Sequence, residues 1–261
     1  RETRSVARES VFAAEDATFP HTWDSVDREE NVVVCVPHTP DPVLFGIRGE
    51  SPAWVKLARE FIRSETPVLE QLFCTNQGTD AHIICEDTSS LLEGRSYAVR
   101  GAVIGQPHTS AGGHVRCRIR TEWGDELPAM AFEPTKGFRR VVRLLAPGDR
   151  ILAVGSYKDG CINLEKMAIL SLAPQTLVCP PFCPSCGKRM TSAGRKKGYK
   201  CRSCRARATD PQVTILPREI GTGWYEVPPT ARRHLALPLV RCNGGTPPWW
   251  QKELSVTGEN V

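Results

Sequence analysis

Two cysteine pairs constrain this chain most: Cys183-Pro-Ser-Cys186 and, fourteen residues on, Cys201-Arg-Ser-Cys204. Paired Cys-x-x-Cys units at that separation can set four thiolates around one tetrahedral Zn²⁺, which closes a structural site with no position left for catalysis. A segment of this size, rich in Lys and Gly, cannot bury enough apolar surface to hold itself together without a metal. A pair of redox dithiols is the alternative, and Cys179 is close enough to replace one ligand. Between Cys183 and Arg207 the chain carries nine Lys/Arg and no Asp or Glu. Such a density of positive charge points to nucleic acid as partner.

Charge is unevenly spread. The net +5 divides into about −8 for residues 1–95, +4 for 96–172, +9 for 173–207 and zero for the rest. A polyanion would meet the middle and the zinc segment first, and the acidic N-terminal part suits a small cation. No apolar run approaches the roughly 20 residues of a membrane span. The opening residues are polar and charged, so no signal peptide is read, and Cys35, Cys74, Cys85 and Cys117 sit in apolar or alternating runs, as small buried hydrophobes do. These features predict a reducing, cytoplasmic setting and no membrane partner.

Residues 1–30 read as irregular. Asn31–Val36 reads as a strand, 37–42 as a proline loop, and Ser51-Pro52 as the cap and first turn of a helix through Trp54, Leu57, Ala58, Phe61 and Ile62. A strand at Leu69–Thr75 and a polar loop at Asn76–His82 follow. From Ser96 the period changes to two: Val115, Cys117 and Ile119 alternate with Arg116, Arg118 and Arg120. A short helix over Lys136–Leu145 and a hairpin around Lys158-Asp-Gly160 complete three strands, a helix and two strands, the order of an OB-fold. The reading is therefore α+β: a domain over 1–92, a five-stranded OB-fold β-barrel over 93–173, a four-cysteine zinc ribbon over 174–210 behind a proline linker at 173–182, and a tail over 211–261.

Cys183, Cys186, Cys201 and Cys204 are the candidate metal ligands. Candidate RNA contacts are Arg116, Arg118, Arg120 and Lys136 on the barrel, and Lys188, Arg189, Arg195, Lys196, Lys197, Lys200, Arg202 and Arg205 on the ribbon. Arg232 and Arg233 follow Trp224-Tyr225-Glu-Val-Pro-Pro229, which could grip an RNA backbone or dock as a tail over apolar surface. His38, His82 and His114 stand alone and read as surface or satisfied histidines. No Ser/His/Asp order, P-loop or dinucleotide fingerprint occurs.

Six stretches together carry a resemblance: Pro40–Ser51 (PDPVLFGIRGES), the Asn76–His82 loop, Ala131–Lys136, Ile162–Lys166, the four-cysteine ribbon, and Tyr225–Leu235. In that order they resemble the archaeal agmatinylcytidine synthetase family. The resemblance implies an ATP-dependent ligase that joins agmatine to C2 of the wobble cytidine of the CAU-anticodon isoleucine tRNA, so that AUA is read. It implies tRNA, agmatine and ATP as partners, Mg²⁺ with the ATP, structural Zn²⁺, and a ferredoxin-like fold for residues 1–92. The family's ATP-handling domain opens on a Gly-Ile-Asp-Asp-Thr-Asp-type motif. That motif is absent here, so the chain is expected to be the C-terminal portion of the enzyme, binding tRNA without turning over alone. Asp41 and Glu50 are expected on the agmatine side, Arg48 toward phosphate, and Asn76, Thr79 and Asp80 in a substrate loop. A free-standing OB-fold/zinc-ribbon protein for single-stranded nucleic acid is the alternative.

Overall fold

The computed structural model describes residues 4–85 and 90–250. The chain forms two compact units. One runs through Ser171 and resumes at Thr222; the other is Leu172–Gly221.

In the first unit, five strands close into a barrel: β1 (Ser96–Val103), β2 (Val115–Thr121), β3 (Glu126–Ala131), β4 (Arg150–Lys158) and β5 (Cys161–Ser171). Their order around the barrel is β1-β4-β5-β3-β2, and β2 returns to pair with β1. Only the β3–β5 contact is parallel; the other four are antiparallel. This is the OB-fold connectivity that the sequence order predicts. The interior is filled by Val99, Val103, Val115, Cys117, Ile119, Ala129, Ile151, Ile162, Met167 and Ile169, all at most 2% exposed.

A bulge in β5 shapes the outside of the barrel. Gly155 pairs with Leu164 while Val154 pairs with Lys166, so Glu165 is the extra residue. Before it Ile162 and Leu164 are buried in phase; after it Met167 and Ile169 are. The bulge thereby buries Glu165 and Lys166 side by side outside the strand alternation. Gly155 is required here, because a Cβ would lie 1.9 Å from the Asn163 carbonyl oxygen.

Residues before the barrel form two packed helices, α1 (Arg8–Thr18) and α2 (Pro52–Phe61), around Val11, Ala14, Val26, Cys35, Ala58 and Ile62. The helix α1 lies where the sequence reads as irregular. Its buried face includes Ser10, Glu15 and Thr18, and no side chain caps it, so neither apolar period nor cap announces it. The predicted α2 is present, with Ser51 Oγ accepting from the Trp54 amide at 3.5 Å. Strand pairing here is short: Thr22–Trp23 with Arg48–Gly49, and Val26–Asp27 with Val32–Val33. The predicted strand over 31–36 shrinks to two residues because the Ser25 carbonyl captures the amides of Val34 and Cys35. The predicted strand over 69–75 does not form: among the described residues no backbone–backbone hydrogen bond reaches it.

After the ribbon the chain returns to the first unit. β8 (Gly223–Glu226) adds to the outer edge of β5, and Trp249 and Trp250 pack beside Leu152, Val154 and Ala168. Of the two readings of this stretch, the structure shows a docked tail. In the second unit, β6 (Gln175–Cys179) pairs antiparallel with β7 (Gln212–Leu216). The predicted linker over 173–182 is thus partly a strand, and its partner comes from the stretch read as tail.

Candidate functional sites in the ribbon, barrel face and buried polar cluster

The ribbon's two cysteine turns are built alike. The Cys183 amide donates to the Lys188 carbonyl at 2.8 Å and the Gly187 amide to the Cys183 carbonyl at 2.9 Å. Eighteen residues on, Cys201 donates to Ala206 at 2.9 Å and Arg205 to Cys201 at 3.0 Å. Each turn needs a left-handed residue, which is Gly187 (φ 68°) in one and Arg205 (φ 64°) in the other. The four sulfurs lie within 4.8 Å of one another, with Cys183–Cys204 at 3.3 Å and Cys186–Cys201 at 3.5 Å. A tetrahedral Zn²⁺ with Zn–S bonds of about 2.3 Å sets sulfurs about 3.8 Å apart, so the donor set fits the ion. The Cys204 amide pulls the Cys201 thiol down to about 6, against burial. Cys179 lies in β6 and is not part of the cluster. All nine ribbon cations are exposed. Lys188 donates to Ser203 Oγ at 3.0 Å, and Arg189 stacks on Phe182 at 4.1 Å.

On the barrel, β2 alternates as predicted: Arg116, Arg118 and Arg120 are exposed, and Val115, Cys117 and Ile119 are buried. Arg118 and Arg120 both reach Glu126, at 3.5 and 2.9 Å. Lys136 is exposed between Glu30 at 3.7 Å and Glu133 at 3.8 Å. Exposed ion pairs of this kind contribute little to stability, so these cations are open to exchange for phosphate.

A buried polar cluster joins the Asn76–His82 loop, the bulge and the tail. Amides of Gly78, Thr79 and Asp80 donate to the carbonyls of His234 and Leu235 at 2.9–3.1 Å. Asp80 is 3% exposed. Its oxygens accept from Lys166 Nζ at 2.5 and 2.6 Å, from the Leu237 amide at 2.7 Å and from Trp249 Nε1 at 2.9 Å. Lys166 is itself 1% exposed. Beside it, Glu165 accepts from His82 at 2.9 Å and from Arg233 at 2.7 Å. Burial raises the Glu165 carboxyl, but these two partners outweigh it and hold the group ionised below its ordinary range.

Arg48 is tied to this loop through Gln77 at 2.8 Å and His234, and to Asp24 at 3.5 Å. Burial and the Arg48 charge lower His234. Glu50 is paired with His21 at 2.5 Å and Arg241 at 2.7 Å, and His21 stacks on Trp54 at 4.1 Å. Asp41 stands apart, held by Arg4 at 3.2 Å, Thr39 at 3.0 Å and the Val43 amide at 2.9 Å. Asn76 and Thr79 are exposed, and Thr79 Oγ1 donates to the Asn76 carbonyl at 2.7 Å.

Two candidates need correction. Asp80 is not presented to a ligand, because both of its oxygens are consumed inside the protein. Arg232 is not offered to RNA: its side chain is 7% exposed and bridges Asp24 and Glu226, the latter at 2.8 Å. Arg233 is 44% exposed. Of the lone histidines, His114 accepts the Glu133 amide at 2.9 Å, whereas His82 is bonded to Glu165 through Nε2 only, its Nδ1 being buried without a hydrogen-bond partner. Sequence reasoning missed His21, Asp24, Glu226 and Arg241. The signal for two of them was indirect, since Glu226 lies in the Tyr225–Leu235 stretch and Asp24 follows Trp23.

These features define an OB-fold and zinc-ribbon protein with a cationic barrel strand. Residues 1–82 match the TiaS FLD domain family, and residues 180–220 the TiaS C-terminal zinc ribbon domain family. The isoleucine-tRNA 2-agmatinylcytidine synthetase TiaS of Methanocorpusculum labreanum is 49% identical over 238 residues, covering 91% of this chain and 57% of that protein. That of Archaeoglobus fulgidus is 46% identical over 241 residues, covering 92% and 57%. A crystal structure of TiaS in complex with its isoleucine tRNA and ATP superposes with a TM-score of 0.85 at 45% identity, over 92% of this chain and 57% of that one. The chain is similar over nine-tenths of its length to isoleucine-tRNA 2-agmatinylcytidine synthetases, and it spans a little over half the length of the relatives it matches.

Proposed function

We propose that this chain is the tRNA-holding and amine-side part of a ligase that uses ATP to join agmatine to C2 of the wobble cytidine of the CAU-anticodon isoleucine tRNA. The observation that carries it is 49% identity to such a synthetase maintained over 91% of the chain. A related structure holds the isoleucine tRNA, AMPCPP and agmatine together, at a TM-score of 0.82 and 42% identity. ATP and Mg²⁺ then belong chiefly to a nucleotide domain outside this span, and the chain alone does not turn over. Domain divisions near residues 92 and 173 accompany this reading, as does a cytoplasmic location. No helix among the described residues is long and apolar enough to cross a membrane.

Each part has a role. Arg116, Arg118, Arg120, Lys136 and Arg233 on the first unit, and Lys188, Arg189, Arg195, Lys196, Lys197, Lys200, Arg202 and Arg205 on the ribbon, meet tRNA phosphates by releasing condensed counterions. Zn²⁺ on the four cysteines keeps the ribbon folded and supplies no chemistry to the reaction. Agmatine is a dication, and Asp41 and Glu50 remain ionised to receive it. Burial opposes this at both, but Thr39, the Val43 amide and Arg4 lower Asp41, and His21 and Arg241 lower Glu50. Arg48 faces phosphate or nucleotide, and Asn76 and Thr79 offer polar groups beside it. Asp80 positions their loop through Lys166 and Leu237.

Competition binding tests the reading. Folded isoleucine tRNA should displace a labelled copy at concentrations about tenfold or more below those needed of an unstructured single strand of equal length. Equal competition by both would favour a free-standing single-strand-binding protein instead.

A further inference from the structure

The cationic face of the barrel also carries an aromatic pair. Along β2 and β3 the inward partners are Val115 with Ala131, Cys117 with Ala129 and Ile119 with Leu127. The partners between them, Arg116 with Met130 and Arg118 with Pro128, face outward. The same alternation at the strand ends places His114 and Phe132 on the outward side. Their rings meet edge to face with centroids 5.3 Å apart, and Phe132 is 39% exposed.

The pair is braced from two directions. The Glu133 amide donates to His114 Nδ1 at 2.9 Å, which fixes the neutral imidazole beside Phe132 with its proton on Nε2. The helix α3 (Lys136–Arg143) sets two arginines against the turn that leads into His114. Arg139 donates to the Gly113 carbonyl at 2.5 Å, and Arg143 donates to Thr109 Oγ1 at 3.3 Å. The adjoining carboxylate, Glu133, is paired with Arg139 at 3.4 Å and Lys136 at 3.8 Å. A single exposed Phe is ordinary. One held edge to face by a histidine, with exposed Arg116 in the next outward pair and exposed Arg143 on α3, has the parts of a stacking platform.

We propose that Phe132 and His114 form a shelf on which an unpaired base of the bound RNA stacks, with Arg116, Arg139 and Arg143 holding the adjoining phosphates. The proposal rests on the tRNA reading above and adds to it a contact that is not electrostatic. Every base has a π-face, so the shelf prefers unpaired to paired RNA and is indifferent to which base it takes.

Two substitutions in the zinc-loaded chain test it. Phe132→Ala should weaken isoleucine-tRNA binding about tenfold. The slope of affinity against salt should stay as in the parent, because losing a stacked base changes no phosphate contact. Phe132→Trp should keep the affinity. Its fluorescence, read as a difference from the parent, should be quenched by the tRNA and not by a fully paired RNA duplex of equal length. Parent-like tRNA affinity in Phe132→Ala would overturn the proposal. So would an unquenched Phe132→Trp with tRNA bound, or equal quenching by the duplex. The tRNA reading fails separately: a plain single strand that competes as well as tRNA and quenches Phe132→Trp would remove that reading and keep the shelf.

Discussion

The barrel unit and the ribbon unit are stabilised in opposite ways. In the first, apolar strands close on themselves, and buried ion pairs dock the 76–82 loop and the tail. In the second, the hydrophobic cluster among the described residues is Cys183, Met190 and Cys201 with Tyr199, Ala206 and Ala208 against it. Its longest strands expose Leu177, Val178, Val213 and Ile215 by 49–71%. So small a core cannot offset the conformational entropy of some 50 ordered residues. The ribbon's fold must come from the metal, whereas the barrel's comes from packing. The two units can therefore be perturbed separately.

The largest separable effect is expected at Asp80. Asp80→Ala leaves Lys166 charged and buried without its partner, and should destabilise the first unit by about 3–5 kcal/mol. Urea unfolding followed by tryptophan fluorescence would show this, and a joint Asp80→Leu, Lys166→Met change should recover much of the loss. Zinc binding by the ribbon should not move. A loss of zinc affinity in Asp80→Ala would break the comparison.

Glu15 gives a smaller effect with a pH signature. Burial raises its carboxyl to about 7 from the ordinary 4.5, against a hydrogen bond from Ser25. The folded state holds the proton more tightly than the unfolded one, so stability is full below about 4.5 and falls as pH rises toward 7. Glu15→Gln should match the parent at pH near 4 and exceed it by on the order of 2 kcal/mol at pH near 8. A thermal melt at both values checks this; equal melting at the higher pH would show that Glu15 carries no such burden.

The smallest expected effect sharpens the ribbon side. Arg205 occupies the left-handed position that Gly187 fills in the matching turn. Arg205→Gly should relieve about 1 kcal/mol of backbone strain. The zinc-loaded ribbon should then resist chelator longer, while tRNA affinity falls slightly through the lost charge. Faster zinc loss would contradict the paired-turn geometry.

Local pattern made the barrel legible, and contacts distant in sequence hid the rest. The Arg116/Arg118/Arg120 alternation and the cysteine spacing are rules within a few residues, and the structure keeps both. The bulge at Glu165 is invisible in sequence, because an ionised pair inside a strand reads as surface. Burial of Asp80 and Arg232 depends on partners 86 residues away at Lys166 and 208 residues away at Asp24. The helix α1 escaped because polar Ser10, Glu15 and Thr18 share its buried face with Val11 and Ala14 and break up the apolar stripe.

The central claim is that a metal-held cationic ribbon and an arginine-faced barrel grasp tRNA together. The direct measurement is isoleucine-tRNA affinity against salt concentration, for the zinc-loaded chain and after zinc is chelated. The account predicts a steep fall with salt for the loaded chain. After chelation it predicts weaker binding with a shallower slope, since only the barrel's cations stay in place. Identical affinities and slopes in the two states would contradict it.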